Sequence, residues 1–387
     1  MVRVLHIITT LNTGGAEETL CKLLSRMDAK EFPSRVLSLA PPGPVGERLA
    51  RRGIPVSDLG MQRAGFPHGP LCRLARCLRS WRPVLVQTWL YHADLVGLAA
   101  RAMCRARLVW NIRCAFMDFS KYRRTTRWAV ALGARLSHLP DAVITNSYAA
   151  RRHHIEMGYR PKRFEVIPNG FDTHLFSPDP TARADLRRKL GLPGDAECVG
   201  LVARFDPMKD HGAFLEAAGR VLRKRPCVHF ILCGEGVDRQ GPLARSPLGR
   251  KRDRSHVHFL GPCAHVERVM AGLDVLVSSS RGESFPNVVG EAMACGVPCV
   301  VTDVGDCASI VGETGVVVPP ENPVVLARAM LWLLNLPVEQ RQERGRRARQ
   351  RIEEHYALDT VVARYEALYR DLASPMGFQI SNLKFDI

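Results

Sequence analysis

Asp274-Val-Leu-Val-Ser-Ser-Ser-Arg-Gly-Glu-Ser-Phe-Pro-Asn-Val-Val-Gly-Glu-Ala-Met-Ala-Cys-Gly-Val-Pro-Cys-Val, residues 274–300, decides how the rest of the chain is read. Val275–Ser278 is a short apolar run, as expected of a strand buried on both faces. A polar loop carrying Glu283 follows, then a helix expected over Val288–Ala294, then a second strand over Pro298–Thr302. Pro286 suits the first helical position, where its missing N–H costs nothing. The free backbone N–H groups of Phe285 to Val288 would then form an anion site strengthened by the helix dipole. Glu291 stands about one turn into that helix, so two carboxylates flank its start.

The same strand–helix alternation extends outward in both directions. Upstream within the second half, Cys198–Ala203, His229–Cys233 and Val257–Leu260 read as strands, with helices over Gly212–Arg223 and His265–Ala271. Downstream, Pro323–Leu333, Gln340–Tyr356 and Leu358–Leu372 read as helices. In the first half, Val2–Ile8, Arg35–Leu39, Val84–Gln87, Leu108–Ile112 and Ala142–Thr145 are strand-like. Helical stretches such as Leu71–Trp81 and Leu95–Cys104 lie between them. This order argues for two doubly wound, parallel α/β sheets. Ser177-Pro-Asp-Pro-Thr interrupts both periodicities and is the expected linker. The expected division is 1–178, 179–357 and a terminal helix with tail, 358–387. Ligands of such sheets bind outside the carboxyl ends of the strands, so a cleft between two Rossmann-like halves is the expected site.

Composition narrows the class. A chain of 387 residues with 46% apolar and 24% charged residues suits two soluble domains. The N-terminus reads as a strand and not as a signal peptide, and no apolar run is long enough to cross a bilayer. The expected compartment is the cytoplasm. Scattered cysteines without a Cys-x2-Cys pair read as reduced thiols, and His256 and His258 lack further ligands for zinc. The net charge is +17, and between Leu71 and Leu136 thirteen Lys/Arg face two acids, Asp94 and Asp118. That field favours an anionic partner, a membrane surface or phosphorylated acceptor, unless it is simply a solvated basic surface. Nucleic acid is not expected: no binding motif is present, and aromatics make up 7%.

Two further groups of residues carry chemistry. Arg204 and Lys209 lie on one turn after the strand Cys198–Ala203 and could both reach one diphosphate. Gly14-Gly15 follows the first strand and would let backbone approach such a group closely, although turn formation explains a double glycine too. The segment 274–300 resembles the Glu-x7-Glu signature of family 4 glycosyltransferases, which have the GT-B fold. Gly14-Gly15-Ala16-Glu17 is similar to that family's first glycine-rich loop. Asp141-Ala-Val-Ile-Thr-Asn-Ser, Val166-Ile-Pro-Asn-Gly-Phe-Asp, Gly200-Leu-Val-Ala-Arg-Phe-Asp-Pro-Met-Lys-Asp and Leu232-Cys-Gly-Glu-Gly extend the likeness along most of the chain.

The resemblance implies two Rossmann-like domains with the C-terminal helix returning to the first. It implies a retaining transferase of the hexosyltransferase type, moving sugar from a nucleotide-sugar, commonly a UDP-sugar, to a saccharide or lipid-linked acceptor. Arg204 and Lys209 would neutralise the leaving diphosphate, with no cofactor and no obligatory metal. Gly14, Gly15, Glu283, Ser284, Phe285, Pro286, Asn287, Val288 and Glu291 would complete the donor site. His92, in Thr88-Trp-Leu-Tyr-His-Ala-Asp, and Arg113 would stand on the acceptor side. Many relatives carry His where this chain has Arg113, and Arg cannot act as a base near neutral pH. A nucleotide-sugar epimerase and a non-catalytic sugar-nucleotide-binding protein are the alternatives.

Overall fold

The computed structural model describes residues 1–61, 68–115, 123–238, 243 and 253–374. Residues 375–387, most of the tail, lie outside them. The chain divides into two compact units, residues 1–170 with 358–387, and residues 171–357. The first junction falls earlier than the expected linker because Phe171 and Phe176 are buried in the second unit's core. Asp179 and Pro180, read as linker, instead start a helix: the Asp179 carboxylate accepts from the N–H groups of Thr181 and Ala182, and Pro180 takes the first position.

The first unit runs β1 (Val4–Ile8), α1 (Gly15–Arg26), β2 (Ser34–Ser38), α2 (Pro44–Arg51), β3 (Val56–Asp58), α3 (His68–Trp81), β4 (Leu85–Trp89), α4 (Tyr91–Met103), β5 (Arg107–Ile112), α5 (Arg124–Leu136), β6 (Ala142–Thr145), α6 (Tyr148–Glu156) and β7 (Phe164–Val166). Its parallel sheet has the order β3-β2-β1-β4-β5-β6-β7. Alternate strand residues serve opposite faces. Val4, Ile8, Leu85 and Trp89 pack with residues of α1 and α2. Leu5, Ile7, Val86 and Leu108 pack with residues of α3, α4 and α5 on the other face.

The second unit runs α7 (Pro180–Leu190), β8 (Glu197–Val202), α8 (His211–Leu222), β9 (Val228–Cys233), β10 (Val257–Phe259), α9 (Val266–Ala271), β11 (Val275–Ser278), α10 (Asn287–Ala294), β12 (Cys299–Thr302), α11 (Cys307–Val311), β13 (Val316–Val318), α12 (Pro323–Asn335) and α13 (Val338–His355). Its parallel sheet has the order β10-β9-β8-β11-β12-β13. Cys198, Val202 and Leu276 face one core, while Val199, Leu201, Val275 and Val277 face the other. No helix among the described residues is long and apolar enough to cross a membrane.

The last helix, α14 (Leu358–Ala373), packs in the first unit. Leu358, Val361, Val362, Leu368 and Leu372 close the core beside α1. Two tyrosines add buried hydrogen bonds to the sheet: Tyr369 Oη donates to Gln87 Oε1 at 2.6 Å, and Asn111 Nδ2 donates to Tyr365 Oη at 3.1 Å.

Candidate functional site

In the second sheet β8 lies between β9 and β11, so the chain leaves β8 on one side and returns on the other. Such a switch point opens a crevice at the carboxyl ends of the two strands. The residues singled out from the sequence stand there. After β8, Asp206 accepts from the Met208 N–H at 2.9 Å and caps a single 3-10 turn, Pro207–Lys209. That turn presents Lys209. After β11, the loop 279–286 presents Glu283. Lys209 Nζ donates to Glu283 Oε1 at 2.5 Å, and Ser280 Oγ donates to the same oxygen at 2.7 Å. The lysine side chain is 24% exposed and the glutamate 11%, so the pair is largely shielded from water yet reachable.

Several residues that sequence reasoning missed hold this geometry. Ser279 Oγ donates to the carbonyls of Lys209 and Asp210 at 2.9 and 3.1 Å. The Arg281 N–H donates to Met208 O at 2.8 Å, and Arg281 Nε to Asp210 Oδ2 at 2.8 Å. Asp210, at φ +45°, caps α8 through the Ala213 N–H. Gly305, at φ +58°, lets the loop after β12 pass so close to Glu283 that a Cβ would stand 2.5 Å from its carbonyl oxygen. The Asp206-Pro207 pair was legible as a cap followed by a first helical position. The serines carried no such signal.

Arg204 is placed differently from Lys209. Its guanidinium is 67% exposed and donates to Asp206 Oδ2 at 3.1 Å. Asp206 is held below the usual carboxylate range by the Met208 N–H first, and then by Arg204 and Lys209. Each cation thus has its own acid, Asp206 for Arg204 and Glu283 for Lys209. Pro286 is the residue before α10 and not its first helical residue; φ −74° and ψ 107° keep it extended. The Phe285 ring does not line an open site. It is buried, stacked 6.1 Å from the Phe171 ring and tilted against that of Tyr356 at 5.7 Å. Only its backbone remains for a ligand. Asn287 and Val288 are half-buried at the helix start, and Glu291 is half-buried one turn in.

The first sheet has its own switch point, where β1 lies between β2 and β4. Gly14 and Gly15 follow β1, and His92 follows β4 in the first turn of α4. A Cβ on Gly14 would stand 2.4 Å from Glu17 Oε2, whereas a Cβ on Gly15 would meet nothing within 4 Å. Gly14 therefore makes room for a buried carboxylate of its own chain, and Gly15 alone leaves open space. Burial lowers the pKa of His92, which keeps its imidazole neutral. Arg113 follows β5. It donates to Tyr365 Oη at 3.1 Å, Thr19 Oγ1 at 3.3 Å and Asn169 Oδ1, and lies 5.7 Å over the Trp89 ring. These acceptors are all neutral, and no carboxylate among the described residues pairs with it. The charge of Arg113 is thus met by neutral acceptors alone, which suits it to an anionic group.

Profiles of known families match both units. Glycosyltransferase Family 4 matches residues 13–175, and Glycosyl transferases group 1 matches residues 196–336. The chain belongs to the family 4 glycosyltransferases. This family 4 chain is 32% identical over 229 residues to D-inositol 3-phosphate glycosyltransferase of Kineococcus radiotolerans, covering 54% of this chain and 52% of that protein. It is 25% identical to EpsF of Bacillus subtilis over 78% of this chain and 79% of the relative. The chain thus spans about half the length of the first of these. Among solved structures, Anabaena Alr3699/HepE in complex with UDP is similar at TM-score 0.80 and 24% identity, covering 95% of this chain and 99% of that one. Sucrose-phosphate synthase of Thermosynechococcus elongatus is similar at TM-score 0.73 and 20% identity, covering 96% and 99%. The fold is that of the GT-B glycosyltransferases.

Proposed function

We propose that this protein transfers a hexosyl group from a UDP-sugar to a saccharide or lipid-linked saccharide, with retention at the anomeric carbon. The product would serve polysaccharide or glycolipid assembly at the cytoplasmic face of an anionic membrane. The observation that carries the reading is the Lys209–Glu283 pair at the switch point of the second sheet, beside the start of α10. Structures of HepE with UDP and with UDP-glucose support the choice of donor.

In this reading the bond from sugar C1 to the diphosphate oxygen breaks with oxocarbenium-like charge on the sugar. Negative charge grows on the departing diphosphate. Lys209, Arg204 and the backbone N–H groups at the start of α10 stabilise that charge, and preorganised groups do so without reorganisation cost. The acceptor hydroxyl attacks from the face the diphosphate leaves, and a phosphate oxygen takes its proton. Glu283 and Glu291 accept from hydroxyls of the sugar and the ribose. The reading assigns no metal, because side chains and backbone supply the positive charge, and no protein nucleophile.

A panel of nucleotide-sugars screened by thermal shift, followed by transfer assays on the ligands that bind, tests the reading. A ligand bound only by the folded state raises its stability. UDP-glucose or another UDP-sugar is expected to stabilise the protein and lose its sugar to an acceptor. Epimerised free nucleotide-sugar, or binding without turnover, would overturn it.

A further inference from the structure

The helix α5 presents a surface that the transfer chemistry does not use. Its inner side, Ala129, Val130 and Gly133, is buried. Its outer side carries Trp128, 74% exposed, and Leu132, 44% exposed. Trp128, Ala131, Leu132 and Arg135 follow one another at helical spacing, so they form one continuous stripe. Arg124 and Arg127 flank the stripe, and neither they nor Arg135 pairs with a carboxylate among the described residues. The helix contains no acidic residue. An open hollow of about 650 Å3 beside the tryptophan is lined by Arg124, Arg127, Trp128, Val130, Ala131 and Met157.

The positive field continues past α5. α4 packs against both α5 and α3, so the three helices share one face of the first sheet. There α3 exposes Arg76 and Arg79 with Leu71, and the end of α4 exposes Met103. A second hollow of about 800 Å3 lies between Arg79, Arg82, Arg105 and Arg107 over Leu78 and Met103. A field this broad fits an extended anionic plane better than a compact protein epitope. Trp at an apolar–polar boundary, with arginines reaching outward from it, matches the interface of a bilayer.

We propose that α5 docks the first unit on an anionic lipid surface, with Trp128 and Leu132 entering the headgroup layer and Arg124, Arg127 and Arg135 meeting lipid phosphates. The inference deepens the reading of a lipid-side acceptor and rests on it. Strands of a parallel sheet end where the following helices begin, so the first turn of α5 stands at the same edge as Gly15, His92 and Arg113. Docking through α5 brings that edge to the headgroups, where a lipid-linked acceptor is held.

The test is flotation of the full chain with vesicles of phosphatidylcholine alone and with added phosphatidylglycerol, at physiological salt. Wild type is expected to bind only the anionic vesicles. The double substitution Trp128→Ser with Leu132→Ser is expected to weaken that binding by about tenfold or more, since two apolar side chains leave the interface. Its melting temperature should not fall, because both side chains are exposed. Absence of wild-type binding, or a double variant that binds as wild type does, would overturn the docking face; in the first case a soluble acidic partner becomes the better occupant. UDP-glucose binding in solution is measured in parallel on both proteins. Its absence would sink the donor assignment and leave the vesicle result standing.

Discussion

Lys209 and Glu283 lie 74 residues apart in sequence and share one hydrogen bond. Replacing Lys209 by Ala leaves Glu283 with the Ser280 hydroxyl and removes a preorganised cation from the expected diphosphate position. Turnover is expected to fall by about 100-fold or more, as for loss of other preorganised charge stabilisation. Circular dichroism should show the fold intact. Near-normal steady-state rates in this variant, or in Glu291→Ala, would contradict the site. The two opening glycines make a sharper residue-level contrast. Gly14→Ala must displace the Glu17 carboxylate, which Thr10 Oγ1 also holds at 2.7 Å. It is expected to lower the melting temperature. Gly15→Ala meets no atom and starts a helix, where Ala is favoured by about 0.4–1 kcal/mol. It should leave stability equal or higher while raising KM for the donor. An unchanged KM would mean that Gly15 does not face the ligand.

At the level of elements, buried polar residues tie strands to helices. Asp274, just before β11, accepts from the Cys198 N–H of β8 at 2.8 Å and from Arg187 of α7 at 2.7 Å. Asp141 does the same before β6, accepting from the Leu108 N–H at 2.8 Å and from Arg101 at 2.6 Å. Each carboxylate sets the register of two parallel strands at their amino ends, away from the ligand edge. Asp274→Ala would leave Arg187, 1% exposed, as an uncompensated buried cation, and such losses cost about 3–5 kcal/mol. Urea unfolding should show that drop with donor-binding residues untouched. Asp94, in the first turn of α4, behaves oppositely. Burial raises its pKa well above 3.8, opposed by the Thr88 hydroxyl that donates to it. The folded chain therefore keeps a proton that the unfolded chain releases, and stability is lost as pH rises above the unfolded value. Asp94→Asn is expected to be more stable than wild type near neutral pH. Thermal melts should show the gap closing as the pH is lowered to about 4; a gap independent of pH would refute the protonated carboxyl.

At the scale of the whole molecule, α14 is a part of the first unit supplied from the far end of the chain. It closes a core that includes Val4, Leu20 and Leu85 and buries Tyr365 and Tyr369 against the sheet. Removal of residues 358–387 exposes that core and leaves Gln87 and Asn111 without these partners. The truncated chain is expected to lose the cooperative unfolding of the first unit and keep that of the second. Differential scanning calorimetry would show one transition where the full chain shows more; an intact first-unit transition would mean that α14 is dispensable. The charge asymmetry belongs to this scale too, because acid-free α3 and α5 come together on one face of one unit only through the packing of α4 between them.

The amino-acid sequence by itself determined the alternation of strands and helices, the parallel class of both sheets and the chemical character of the site. Those signals are local: apolar runs of strand length, helical stripes between them, and a strand–loop–helix order with glutamates flanking the helix start act through neighbours in the chain. Edge strands Val56–Asp58 and Val316–Val318 escaped notice because three residues, at most one of them buried, carry too little pattern. Tertiary structure alone decided that Phe285 turns into the core, that Arg204 answers to Asp206 while Lys209 answers to Glu283, and that Gly14 serves Glu17. Those choices join residues far apart or compete for the same space, and only close packing ranks them.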